Sequence, residues 1–224
     1  LLGRGTNFLW KESSKKNYDY YFILNNDVKL YPNYFNELFK TLSKQKNSII
    51  TGKIVSSKNR NKVIYGGNDL FGNIISNRKI SEVFYLNGNC LLISKKIFNK
   101  LGFFDQVYHH HLADVDYGFH ARKNGIKTFT TKFFVGECLP NSINRIRKPN
   151  SNLISRFIFL FSPLGQNPIK YFYFLKKNNS LFNSIIRTSY LISINILPDW
   201  LYKKTELIIE KNFSVLKYNL KFKK

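Results

Sequence analysis

Tyr20-Tyr21-Phe22-Ile23-Leu24-Asn25-Asn26-Asp27 is the stretch on which the fold turns. Five apolar residues run without interruption, the pattern of a strand buried on both faces of a parallel sheet. Three polar residues, Asn25, Asn26 and Asp27, follow at once, where such a strand emerges at its carboxyl end. Open α/β sheets take their ligands at that edge. A carboxylate there can hold a hard divalent cation, Mg²⁺ or Mn²⁺, shared with substrate phosphates. The local alternative for Asp27 is a loop-start residue that caps nearby backbone amides.

Working outward, Pro32 is expected to open a helix at its favoured first-turn position. Phe35, Leu38, Phe39 and Leu42 follow at helical spacing as one apolar stripe. Residues 48–55 read as the next strand, and 62–75, with Gly66, Gly67 and Gly72, as a turn-rich excursion. Two short apolar runs, 83–86 and 90–93, flank Asn87-Gly88-Asn89. A short helix is expected over Lys95–Leu101 and a longer one over 114–124, closed by Gly125. Residues 126–130 and 133–135 return to strand character. Strands alternating with helices give an α/β fold.

Acidic residues number only 13, so their positions carry information. Asp114 and Asp116 open the 114–124 helix just after His109-His110-His111. A carboxylate across a cleft from Asp27 can deprotonate an acceptor hydroxyl as general base. Capping and the helix dipole account for acids at the same positions on local grounds. Consecutive histidines alternate direction in an extended chain, so only some of the three can face one site.

Four blocks together carry a family resemblance. Ile23-Leu24-Asn25-Asn26-Asp27-Val28 resembles the strand-plus-acid motif of family 2 glycosyltransferases, a variant of their Asp-x-Asp metal site. Asn87-Gly88-Asn89-Cys90-Leu91-Leu92-Ile93 resembles the family's Gly-rich acceptor-side segment and the strand after it. Leu101-Gly102-Phe103-Phe104-Asp105 is similar to its Gly-Gly-Phe-Asp turn. Residues 114–125 resemble the catalytic-base helix of a rhamnosyltransferase-like subgroup. The blocks stand in family order with family spacing across residues 1–140.

The resemblance implies a GT-A-type, Rossmann-like α/β domain over 1–140, with a mixed, mainly parallel sheet flanked by helices. It implies transfer of a sugar, with inversion, from a nucleotide-sugar donor to a glycan or lipid-linked acceptor in surface polysaccharide synthesis. Position by position, Asp27 would hold Mg²⁺ or Mn²⁺ on the donor diphosphate, with Asn25 and Asn26 beside the donor. Asp114 would be the general base, and Asn87, Gly88, Asn89, His110 and Asp116 would line the pocket between donor and acceptor. Family members begin with two further nucleotide-binding strands. Only about 19 residues precede the strand ending near Asp27 here, and there is no Met. The catalytic domain is therefore expected to be incomplete at its amino terminus.

The chain has 224 residues, 43% of them hydrophobic, which excludes wholesale disorder. Lys and Arg outnumber Asp and Glu by 36 to 13, a formal charge of +23. Such a balance points to an anionic partner, although biased coding composition produces the same mixture of Lys, Asn, Ile, Phe and Tyr. Residues 141–224 read as a basic, aromatic-rich helical appendage, with 15 basic and 3 acidic residues. That tail suits peripheral contact with a membrane at the inner face of the plasma membrane, the protein being otherwise cytoplasmic. Cys90 and Cys138 have no metal-ligand spacing and fit a reducing compartment. Two other readings share these features: a remnant that keeps the fold and binds no donor, and a basic nucleic-acid-binding protein. The last lacks zinc spacing, RNA-recognition aromatics and a recognition helix, so no specific nucleic acid is expected.

Overall fold

The computed structural model describes residues 2–108, 112–140 and 145–204, with side chains from residue 5 onward. The chain divides into two compact units, Leu1–Asn141 and Ser142–Lys224. In the first, the order is α1 (Leu2–Ser14), β1 (Tyr20–Leu24), β2 (Lys29–Leu30), α2 (Tyr34–Lys44), β3 (Ile49–Ser56), β4 (Asn59–Tyr65), β5 (Ser81–Glu82), β6 (Cys90–Ser94), α3 (Lys95–Leu101), α4 (Ala113–Lys123) and β7 (Thr128–Cys138). The second unit holds α5 (Leu153–Phe161), α6 (Pro168–Asn178) and α7 (Leu181–Ile196).

Seven strands form one mixed sheet with the path β1-β6-β3-β7-β2. The first unit is thus a mixed α/β fold, its sheet flanked by helices. The expectation of a mainly parallel sheet is corrected: among the described strands only β3 and β7 pair in parallel, and the other pairs are antiparallel. The reason is local. A two-residue connection folds β4 straight back onto β3, and β6 runs reversed between β1 and β3. A strand has two edges, and β7 takes one edge of β3 along its length while β6 and β4 share the other.

β1 is an edge strand rather than one buried on both faces. Tyr21 and Ile23 are buried, whereas Tyr20, Phe22 and Leu24 are 43%, 36% and 37% exposed. Its five apolar residues conceal an alternation, and on the outer side Tyr20 and Phe22 meet the aromatic flank of α2. Tyr20 lies 5.0 Å from Phe39 and Phe22 lies 5.7 Å from Tyr34, centroid to centroid. On the inner face Trp10 of α1, 3% exposed, packs on Phe98, Phe104 and Tyr117 at 4.9–5.8 Å. Such ring pairs add roughly 0.5–1.5 kcal/mol each beyond area burial. The opposite face of the sheet buries Leu38 of α2 against Ile50, Ile54, Leu92 and Val135.

Several element boundaries differ from expectation. Pro32 precedes α2 instead of lying in its first turn, and Asn33 occupies the cap position. Residues 59–65 pair as β4, so the irregular excursion starts later, near Gly66. Beside the 83–86 run the pairing is β5 at 81–82 plus a bridge from Asn68 to Tyr85. The runs 126–130 and 133–135 merge into β7, interrupted by an irregularity opposite Lys53. There the Lys53 backbone N–H donates to Thr131 Oγ1, which donates to the Phe133 carbonyl.

In the second unit two arginines close the carboxyl end of α7. Arg147 donates to the Ile194 carbonyl, to the Leu197 carbonyl at 2.8 Å and to Asp199 at 2.7 Å. Arg156 donates to the Asn195 and Leu197 carbonyls and pairs with the same carboxylate. Cations on the last carbonyls of a helix complement its dipole. Among the described residues no helix is long and apolar enough to cross a membrane.

Candidate functional site

The antiparallel pairs β1–β6 and β6–β3 and the parallel pair β3–β7 make β1, β3 and β7 run the same way. Their carboxyl ends, Leu24, Ser56 and Cys138, therefore share one sheet edge, and β6 begins there. The polar segments after β1 and before β6 meet at that edge. The Asn25 backbone N–H donates to the Asn89 carbonyl at 3.0 Å, and Asn25 Nδ2 donates to Asn89 Oδ1 at 3.0 Å. The Asn89 N–H reaches Asn87 Oδ1, and Thr51 Oγ1 donates to the Asn87 carbonyl. Three asparagines from two motifs far apart in sequence thus become one backbone-anchored cradle.

Asp114 joins this cradle. The Gly88 N–H donates to Asp114 Oδ2 at 2.8 Å, and the Val115 N–H donates to Asp114 Oδ1 at 2.9 Å. One oxygen satisfies an otherwise orphan amide in the first turn of α4, a local contact made from inside the helix and not from the cap position. The other oxygen reaches across to Gly88, which capping alone does not require. Leu112, which has no capping side chain, occupies the cap position of α4 with φ 72°. Asp116, one turn-face away, is enclosed at 2% exposure. Gly118 sets the approach of α4: a Cβ there would lie 2.8 Å from the Leu86 Cβ. The helix therefore packs directly on the segment leading into Asn87. His110 lies outside the described residues.

Asn26 and Asp27 are exposed at the same edge, and Asp27 makes no side-chain hydrogen bond or ion pair among the described residues. Its charge is felt by Cys138, whose thiol is pushed up to about 11 by burial and then by Asp27. Both cysteines are buried, and burial pushes the Cys90 thiol up to about 12, so neither is a nucleophile near neutral pH. Among the described residues no group of three His, Cys, Asp or Glu side chains gathers to hold a metal ion. Asp27 offers a single open hard-oxygen ligand, which fits a Mg²⁺-type site completed by substrate phosphates and water.

Two charged residues here, Arg60 and Lys53, carry no signal in the sequence. Arg60 of β4 grips Glu137 of β7, with Nε to Oε2 at 2.7 Å and Nη2 to Oε1 at 3.2 Å, while the Tyr31 hydroxyl donates to Oε2 at 3.0 Å. The Arg60 hydrogen bond holds the Glu137 carboxyl below its usual value against the opposing effect of burial. Burial first, then Glu137, pushes the Tyr31 hydroxyl up. Gly136 lets β2 approach β7 beside this pair, since a Cβ would lie 2.6 Å from the Lys29 carbonyl. Lys53 is fully buried on β3, and burial pushes its ammonium down to about 8. It donates to the Asn77 and Lys79 carbonyls, which ties down the irregular connection. A separate cleft of about 220 Å³ lies between α1 and β1, lined by Leu9, Trp10, Tyr18 and Tyr21 among others, and contains no carboxylate.

A scan against models of protein families finds no match to this chain, and a search of curated proteins finds none.

Proposed function

We propose that the chain is a GT-A-type glycosyltransferase, similar to family 2, that moves a sugar from a nucleotide-sugar donor to a glycan or lipid-linked acceptor with inversion. The observation that carries this reading is the Asp114 carboxylate held 2.8 Å from the Gly88 N–H, on the sheet edge where Asp27 stands open. Inversion needs a base behind the acceptor hydroxyl and charge neutralisation at the departing diphosphate, roles that call for separated acids. Asp114 takes the acceptor proton, oriented by the two backbone donors that fix its carboxylate. Asn25 and Asn26 flank the donor, and Asn87, Gly88 and Asn89 form the wall between donor and acceptor, with Gly88 bringing backbone close to the ligand. Asp27 would hold Mg²⁺ or Mn²⁺, which when bound neutralises diphosphate charge.

The second reading, a chain that keeps the fold and binds no donor, draws on one feature: the outer edge of β1 has no partner strand among the described residues. Calorimetry with UDP, GDP and dTDP in the presence of Mn²⁺ separates the two. The glycosyltransferase reading expects metal-dependent binding of one nucleotide, lost in Asp27→Ala. It further expects Asp114→Asn to lower transfer by about 10²–10⁴-fold while nucleotide affinity stays. A folded chain that binds none of the three nucleotides sinks it.

A further inference from the structure

Two helices of the second unit, α5 and α7, bury polar side chains and expose apolar ones. α7 turns Ser184, Arg187 and Asn195 inward, with Leu191 and Ile194, and turns Phe182, Ile185 and Ile186 to the outside. Phe182 is 72% exposed. α5 repeats the pattern: Arg156 is buried, while Ile154, Ile158 and Phe161, spaced as one helical face, are exposed, Ile154 at 72%. Single exposed apolar residues are ordinary on any protein, but contiguous exposed stripes mark an interaction surface. Here they stand where a water-facing helix would carry its polar residues.

Charge selects the occupant. Residues 145–204 contain ten Lys or Arg and one acid, Asp199, and that acid is taken up by Arg147 and Arg156. The exposed charges among the described residues 145–204, including Lys148, Lys176, Lys177 and Lys203, are therefore all positive. Exposed apolar stripes in a segment whose exposed charges are cationic complement an anionic lipid surface, where side chains enter the acyl boundary and ammonium groups meet headgroups. No described helix can span the bilayer, which leaves contact in the plane of the interface. We infer that the 145–204 helices dock on an anionic membrane through the outward faces of α5 and α7. This rests on the helices alone and holds whether or not the first unit transfers sugar.

Flotation of the full chain with phosphatidylcholine vesicles, with and without one-third phosphatidylglycerol, tests it. Trp200, 69% exposed beyond α7, supplies the signal, because the other tryptophan, Trp10, is buried. Binding to the anionic vesicles with a blue shift of Trp200 emission is expected. Ile158→Glu with Ile185→Glu is expected to lower partitioning by about a hundredfold. Ser43→Glu with Asn61→Glu, two exposed positions of the first unit, makes the same charge change and is expected to lower it at least ten times less. Equal losses in both pairs, equal binding to pure phosphatidylcholine, or no binding of the unaltered chain would each overturn the inference.

Discussion

Glu137 is a carboxylate whose side chain is 8% exposed, and Arg60 and Tyr31 fill its oxygens. Because its folded value is depressed, the stability it contributes is complete above the ordinary glutamate value of 4.5 and is lost as pH falls through the lower folded value. Thermal melts across that acid range should show the unaltered chain losing stability more steeply than Glu137→Gln, which should melt lower at neutral pH. Matching acid limbs would show that the pair contributes nothing measurable. Asp199, held down first by Arg147, adds the same sign in the second unit, so some acid sensitivity stays in either case. The pairing is not legible in sequence, since Arg60 and Glu137 lie 77 positions apart, Arg60 in a polar stretch and Glu137 in an apolar one. Asp27 and Asp114 differ: acids are scarce, and each terminates or begins a recognisable element.

The packing of α4 decides whether Asp114 reaches Gly88. Replacing Gly118 by Ala should add about 1 kcal/mol of helix propensity. It also drives a methyl group into Leu86, an overpacking that typically costs about 1–3 kcal/mol. The expected sum is a lower melting temperature together with weaker transfer or nucleotide binding; a higher melting temperature would show that α4 has room to move. α3, α4 and β6 are legible because caps and apolar runs agree, as at Gly102 and Gly125, both at positive φ. β4 is not, because its residues Asn59, Arg60, Asn61 and Lys62 are exposed and polar. Among the described side chains of α1 only Trp10 is buried, Phe8 and Leu9 being exposed, and only the Trp10 cluster reveals its purpose. The edge position of β1 is hidden because Tyr and Phe tolerate half-exposure, so an edge strand reads as a buried one.

The whole molecule carries +23 charges, and its total says little about its partner. Mixing with DNA should give binding that ignores sequence and falls steeply with salt, as counterion release requires. Sequence-selective binding that survives physiological salt would instead revive a nucleic-acid role. Composition makes the charge visible, but the inversion of α5 and α7 emerges only when the helices pack, because an exposed isoleucine and a buried one read alike in sequence. The parallel pairing of β3 with β7 has a consequence in time. Ile49 meets Thr128, so nearly eighty residues must be looped out before that pair forms, a closure that is slow and unrewarded until late. β6, α4, Asn87, Asn89 and Asp114 all lie within the loop. During synthesis Asn87, Asn89 and Asp114 emerge from the ribosome before β7 does, and the long β3–β7 pairing that closes the sheet is among the last contacts of the unit to form.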